Sequence, residues 1–404
     1  MHKKLWNRDY ILLLQGSAVS TVGDLMYSVA IGYWVYEKTG SSGLMGIMAS
    51  ISMFVTMFLS PFTGSIVDKC NRKWVLVGMD FMQGILMLTI GALAYLDSLS
   101  VPIVLIAAFL ASLGGVFYSP AANTLMIDII PHQDMVRGQS IFSGMRALID
   151  TVGSAFSGMM VAFFGVSLII VINGISNLYA AVSELFVHVP RTLQQGTPVS
   201  VSGILRDSRD AVKTIFSDRF LRLFIPSALI LNLLGAGPLT LMLPFCLEKG
   251  FSVDMYGYGM TVYTAASLIC VLILGIVKLS PKARFLVMAA GFSSGPIVCT
   301  LAYLSTRFVP ICGWFFLAAF LNTAANTVFN AALMLALPEE NRGAILGFFQ
   351  AACTGGTALS AVIYGLLGDV FPLHLVFVVG SLLSLGPMLN MCLHRSTKEF
   401  MLTH

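Results

Sequence analysis

Apolar residues along this chain run in long blocks broken by short polar interruptions. The blocks lie near 10–36, 42–62, 74–96, 102–125, 139–163, 165–187, 221–247, 257–277, 285–304, 310–335, 344–367 and 373–393. A helix rises 1.5 Å per residue, so about 20 apolar residues cross the hydrocarbon core of a bilayer. The pattern therefore predicts twelve transmembrane helices. Connections are short except near 188–220. There Ile204, Leu205, Val212, Ile215, Phe216 and Phe220 recur at helical spacing opposite Arg206, Asp207, Arg209, Asp210 and Lys213, which predicts an amphipathic helix lying on the inner leaflet. The first block has full span length and no small-residue cleavage site, so it is expected to act as an uncleaved insertion signal.

Composition turns this pattern into a class. Apolar residues make up 57% of the 404 positions and charged residues 10%, against about 45–50% and about 25% in soluble domains. A mean hydropathy of +0.87 leaves too few polar residues to cover a soluble globule. A soluble enzyme, a secreted disulfide scaffold and a disordered regulator are excluded. The net charge of +4 indicates no nucleic-acid surface. The seven cysteines include no CxxC pair, so neither a disulfide framework nor a zinc site is expected. No phosphate-binding Gly-x-x-x-x-Gly-Lys-Ser/Thr loop or nucleophile–base motif occurs, and no metal, cofactor or catalytic residue is expected.

Cations in the loops set the expected orientation. With the N-terminus inside, 19 of the 23 lysines and arginines fall on the inner side, Lys38, Lys249 and Arg307 fall outside, and Arg146 remains within a span. Both termini are thus expected in the cytoplasm, with the chain multi-pass in a plasma (inner) membrane.

The chain also repeats itself. Asn123–Pro131 aligns with Asn330–Pro338 at an offset of 207, and each proline is followed by a polar loop ending in Arg-Gly, Arg137-Gly138 and Arg342-Gly343. Six spans on each side of the long connector predict two pseudo-symmetric six-helix bundles in an all-α membrane fold. The expected boundaries are 1–187, a connector at 188–220, and 221–404 with a short cytoplasmic tail. Repeats of this kind place a substrate site near the midplane.

Between the second and third spans stands Gly64-Ser65-Ile66-Val67-Asp68-Lys69-Cys70-Asn71-Arg72-Lys73. It resembles the Gly-x-x-x-Asp-Arg/Lys-x-Gly-Arg-Lys signature of the major facilitator superfamily, with Asn71 in place of the glycine. Gly64 permits close helix approach, while Asp68, Lys69, Arg72 and Lys73 can pair with helix ends or neighbouring loops in one conformation. The second-half counterpart, Gly275 to Arg284, has no acidic residue, so the first copy is expected to carry the gate. Gln15–Ser20, Glu37–Ser41, Phe117–Ala121 and Pro338–Gly343 further resemble macrolide-efflux-type drug:proton antiporters of that superfamily. This resemblance implies export of an amphiphilic small molecule in exchange for protons, by a monomer. Two places depart from it: Ala111–Gly115 lacks an arginine in the fourth span, and Gly153 and Gly158 of the fifth are not followed by proline.

Ionisable groups at mid-bilayer cost about 2.5–3.5 kcal/mol on insertion scales, so each is a functional candidate. Asp24 shares a helical face with Ser17, Ser20, Thr21 and Ser28 and is the expected proton acceptor. Arg146 and Asp150, four apart, can pair and tune it. Asp128 is a further proton-coupling candidate, whereas Asp80 and Glu184 are read as interfacial or loop-pairing acids. Asn322, Asn326 and Asn330 recur every fourth residue in the tenth span, and their repeat equivalents are Gly115, Ser119 and Asn123. The resemblance places the first, fourth, seventh and tenth helices around a cavity, so these residues with Tyr27, Tyr118, Asn232 and Met242 are the substrate-cavity candidates. Interhelical hydrogen bonding would equally explain any single asparagine. Gly235-Ala236-Gly237-Pro238 and Pro244 predict a bent seventh helix.

The reading is a proton-coupled exporter of a hydrophobic or amphiphilic compound, its partners being substrate, protons and lipid. A lysophospholipid or other lipid-like substrate, moved without proton coupling, is the alternative within transport. A non-transporting membrane sensor or scaffold is the alternative from another class.

Overall fold

The computed structural model describes residues 5–131, 134–188, 219–277, 279–336 and 342–393. All the regular structure among them is helical. The first half contains α1 (Arg8–Thr39), α2 (Ser42–Lys69), α3 (Arg72–Tyr95), α4 (Val101–Ile129), α5 (Met135–Phe164) and α6 (Val166–Leu185). The second contains α7 (Arg219–Gly235), α8 (Gly237–Thr240), α9 (Met242–Glu248), α10 (Val253–Ile276), α11 (Pro281–Leu304), α12 (Phe308–Ala336), α13 (Arg342–Gly368) and α14 (Leu373–Leu393). The amphipathic helix expected within 188–220 lies outside the described residues.

Nine of these helices are long and apolar enough to cross a membrane singly, and the α7–α8 rod with α9 makes a tenth span bent by 51°. The bend falls at Leu241, where the sequence predicts it. Each freed backbone group needs a partner in the absence of water. The Gly237 N–H donates to Ser360 Oγ at 2.8 Å, and the Tyr364 hydroxyl donates to the Leu234 carbonyl. Two further helices, α1 with 32 residues and α5 with 30, are also long enough to span. The count is consistent with the twelve that the apolar blocks predict, though among the described residues it is not exact.

Helix ends follow local chemistry. Asn7 caps α1 by accepting from the Tyr10 N–H at 2.8 Å, and Gly40 closes it in a left-handed conformation at φ 63°. Ser280 Oγ accepts from the Ala283 N–H at the start of α11, where Pro281 supplies a pre-set φ. Lys249 Nζ donates to the Tyr303 and Ser305 carbonyls at 2.8 and 2.5 Å, placing a cation at the C-terminal end of α11 where the helix dipole favours it.

Two compact units emerge: Met1–Gly40 with Ile51–Val201, and Ser41–Ser50 with Ser202–His404. In the first, α3 and α1 pack on α6, α1 on α5, and α3 on α4. The second repeats this scheme, with α11 and α7 on α14, α7 on α13, and α11 on α12. These five pairings are equivalent in the two halves, and the second unit adds α10 on α12.

The core of the first unit joins Tyr10, Leu13, Leu76, Leu125, Met126, Ile129 and Phe142, all almost fully buried. Tyr10 also donates its hydroxyl to the Gly138 carbonyl at 2.8 Å, and Asn7 Nδ2 donates to the Ile129 carbonyl at 2.8 Å. These bonds tie the start of α1 to the α4–α5 connection. The second unit packs around rings: Phe245 lies 5.3 Å from Phe377 and 5.6 Å from Tyr303 between centroids. The opening of α2 belongs to this second unit. There Asp369 accepts from Ser41 Oγ, Ser42 Oγ and the Gly43 N–H at 2.7, 3.1 and 3.0 Å, a carboxylate set at a helix N-terminus.

Candidate functional site

In the first unit, Asp24 is exposed on α1. Its Oδ1 accepts from Asn177 Nδ2 of α6 at 3.3 Å, and Asn177 also donates to Asn173 Oδ1 at 2.8 Å. Asn173 and Asn177 were not singled out in the sequence, although their four-residue spacing and Glu184 seven further on define one face of α6. That face packs against α1 and α3. The Tyr27 hydroxyl is buried without a partner.

The spacing of Arg146 and Asp150 does not produce a pair here. The Arg146 guanidinium lies 5.9 Å from the Phe142 ring centroid, and among the described residues no ion pair joins it to Asp150, which is exposed. A cation over an aromatic face is partly compensated by the ring quadrupole. Asp128 is likewise drawn elsewhere. Its Oδ2 accepts from Arg72 Nη1 at 2.8 Å, with the two side chains 15% and 14% exposed.

Arg72 belongs to the 64–73 motif, so this ion pair joins the motif to the last turn of α4. Lys73 donates from Nζ to the Leu185 carbonyl at 2.6 Å, closing the last turn of α6. Arg72 and Lys73 therefore bind one acid and one helix end, each on a different helix. The side chains of Gly64, Asp68 and Lys69 lie outside the described residues. Arg72→Met is expected to destabilise the protein by about 1–3 kcal/mol, because Asp128 is left part-buried without its partner. Pairing it with Asp128→Asn should recover part of that loss. Additive losses in denaturant unfolding of the two single variants and the double variant would refute the pairing.

The cavity candidates divide between the units. On α4, Ser119 and Asn123 are exposed, and Asn123 Oδ1 accepts from Gln139 Nε2 at 3.4 Å. Tyr118, one residue before Ser119, points the other way: it is 7% exposed and donates to Glu184 Oε1 at 3.0 Å. In the second unit, Asn232, Met242, Asn322, Asn326 and Asn330 line one cavity of about 370 Å³. The same offset of 207 that relates the sequences relates two polar stripes, Gly115/Ser119/Asn123 and Asn322/Asn326/Asn330. Asn326 donates to the Asn322 carbonyl at 2.9 Å and to its side-chain oxygen, which joins these two amides. Asn232 Nδ2 donates to the Ala228 carbonyl, while its Oδ1 accepts from Thr357 at 3.3 Å.

Aromatic walls not anticipated from sequence complete the cavity: Tyr263 of α10, Phe292 and Tyr303 of α11, and Phe315 of α12. Among the described residues no charged side chain lines it. Such a space can hold an apolar body and satisfy a few neutral polar groups. It offers no countercharge.

Helices of this order and pairing define a duplicated membrane-transporter fold. The sequence model of the Major Facilitator Superfamily matches residues 13–253 and 227–398, and the chain belongs to that family. Macrolide efflux protein A of Streptococcus pyogenes is 22% identical over 186 residues, 46% of this chain and 46% of that protein, so the match spans about half the length of that relative. The uncharacterized MFS-type transporter YkuC of Bacillus subtilis (strain 168) is 21% identical over 314 residues, 75% of this chain and 72% of that one. Among solved structures, the nucleoside transporter NupG superposes with a TM-score of 0.73 at 13% identity, covering 98% of this chain and 99% of that one. At that identity the likeness speaks for the fold alone.

Proposed function

We propose that the chain exports hydrophobic or amphiphilic small molecules across a plasma membrane by proton antiport, with the two halves alternating access to a midplane site. The observation that carries this reading is the second-unit cavity, which presents amides and aromatic rings without a formal charge. An amphiphile loses water at little cost against the rings, while its neutral polar groups find donors and acceptors on Asn322, Asn326 and Asn330. Asp24 supplies the titrating group, placed on a helix that otherwise reads as a membrane span. The loop cations favour cytoplasmic termini, and likeness to the streptococcal macrolide efflux protein A supports efflux.

The test is flux of an amphiphile panel from proteoliposomes, with and without an imposed pH gradient. Uncharged and weakly basic amphiphiles should be moved in a gradient-dependent way, whereas permanent quaternary cations should be transported poorly. Flux that ignores the gradient would replace this reading with a uniporter or a mover of lipid-like substrates. Inertness toward every compound, with a protein partner captured by the 188–220 segment, would favour a scaffold.

A further inference from the structure

Two acids read as interfacial in the sequence lie instead in the interior of the first unit. Asp80 of α3 is 2% exposed and Glu184 of α6 is fully buried. Glu184 sits in the last turn of its helix, where sequence position alone implies a wet headgroup zone, but α1 and α3 pack against α6 and cover that turn. Among the described residues, Asp80 Oδ2 and Glu184 Oε2 have no hydrogen-bond partner. The packing that sets Gly84 of α3 against Leu178 of α6, and Lys73 against the Leu185 carbonyl, brackets Asp80 and Glu184 on one shared interface, where each acts electrostatically on its neighbour.

The groups facing this cluster can be named helix by helix. From α1 come Asp24 and Tyr27, from α4 Tyr118, and from α5 Arg146, whose reach is to Asp24. Lys73, close in sequence to Asp80, is engaged by the Leu185 carbonyl. Among the described residues no lysine or arginine pairs with Asp80 or Glu184. Two ionised carboxylates in so dry a place would repel one another, with the Tyr118 hydroxyl on Glu184 as the bond that offsets their desolvation. A proton on either carboxyl removes one charge and makes its orphaned oxygen a donor. Among the described residues no three His, Cys, Asp or Glu converge as metal ligands.

We propose that Asp80 and Glu184 form a proton-binding pair, roofed by the Tyr118 hydroxyl, that holds one exchangeable proton inside the first unit. Its use in coupling rests on the antiport reading. Its existence does not. The pair titrates as one unit with Asp24 at its exposed edge, so loading either site changes the other.

The experiment is infrared pH titration of the full chain in lipid nanodiscs, reading the carbonyl stretch of protonated carboxyl groups. Wild type should show an acid carbonyl band near neutral pH that disappears on alkalinisation. Glu184→Gln and Asp80→Asn should each remove it. A wild-type spectrum without the band, or one unchanged by both substitutions, would overturn the proposal. Should those variants fail to fold, Tyr118→Phe keeps the shape but deletes the hydrogen bond to Glu184, and it should shift the band. An unshifted band would overturn the pair's assignment. Suppression of the band by sodium or calcium at fixed pH would mean a metal ion occupies the site, also against the proposal. The readout needs neither substrate nor gradient. If the band behaves as stated while wild-type flux ignores the gradient, the pair stands and the efflux reading falls.

Discussion

Asp24→Asn is expected to abolish gradient-driven accumulation of substrate while substrate exchange at equal pH persists. Asparagine has nearly the shape of aspartate and keeps an oxygen for the Asn177 amide that now donates to Asp24 at 3.3 Å, so α1 should still pack on α6. What it loses is the capacity to take up and release a proton. Exchange requires the cavity and the conformational change, and the cavity lies in the second unit, lined by residues from α7 to α14. Concentrative transport requires in addition a group whose charge differs between the two faces of the membrane. The measurement compares counterflow with pH-driven uptake in the same proteoliposomes. Retained accumulation would return Asp24 to the role of a hydrogen-bonded structural acid. Equal loss of both activities would point to a packing defect instead.

The second large effect concerns one substitution made at two glycines. A Cβ added at Gly46 would lie 2.2 Å from the Ala361 carbonyl oxygen, and one added at Gly365 would lie 2.6 Å from the Ser42 carbonyl oxygen. The opening of α2 and the end of α13 thus approach through their backbones, and neither carbonyl can swing aside as a side chain could. At Gly78, in α3, an added Cβ meets nothing within 4 Å, and the residue is exposed. Gly46→Ala should therefore cost about 1–3 kcal/mol, the usual range for forcing a methyl group into close packing. Gly78→Ala should instead stabilise by about 0.5–1 kcal/mol through helix propensity. Thermal unfolding of the two variants in one detergent reads both. Shifts of the same sign would refute the close-approach account of Gly46.

The parts legible in the sequence are those the bilayer dictates. Apolar length and loop cations need no knowledge of tertiary partners, and the broken seventh helix was announced by Gly235, Gly237 and Pro238. The two long helices outside the ten spans counted among the described residues, α1 and α5, are those carrying Asp24, Arg146 and Asp150. Partners were less legible. Arg146 and Asp150 are correctly spaced to meet, yet Phe142, also four residues from Arg146, holds the guanidinium. Asp128 is held by Arg72, 56 residues earlier, a contact that exists only because α3 packs against α4. Glu184 was misplaced because its position near a helix end says nothing about which helices cover that end. A face carrying Asn173, Asn177 and Glu184 was the available signal, since amides and an acid aligned on a membrane helix must answer one another or a ligand.

Among the described residues, the amide-and-ring cavity of the second unit contains no carboxylate, and the buried acids belong to the first. On the proposed antiport reading, a change of Phe292 or Met388 in the cavity wall is expected to alter which molecules fit without touching the acids assigned to proton binding. Substrate range can then be explored by point mutation while the energy supply stays intact. Drift is expected to be tolerated in the cavity and resisted at the acids of α1, α3 and α6.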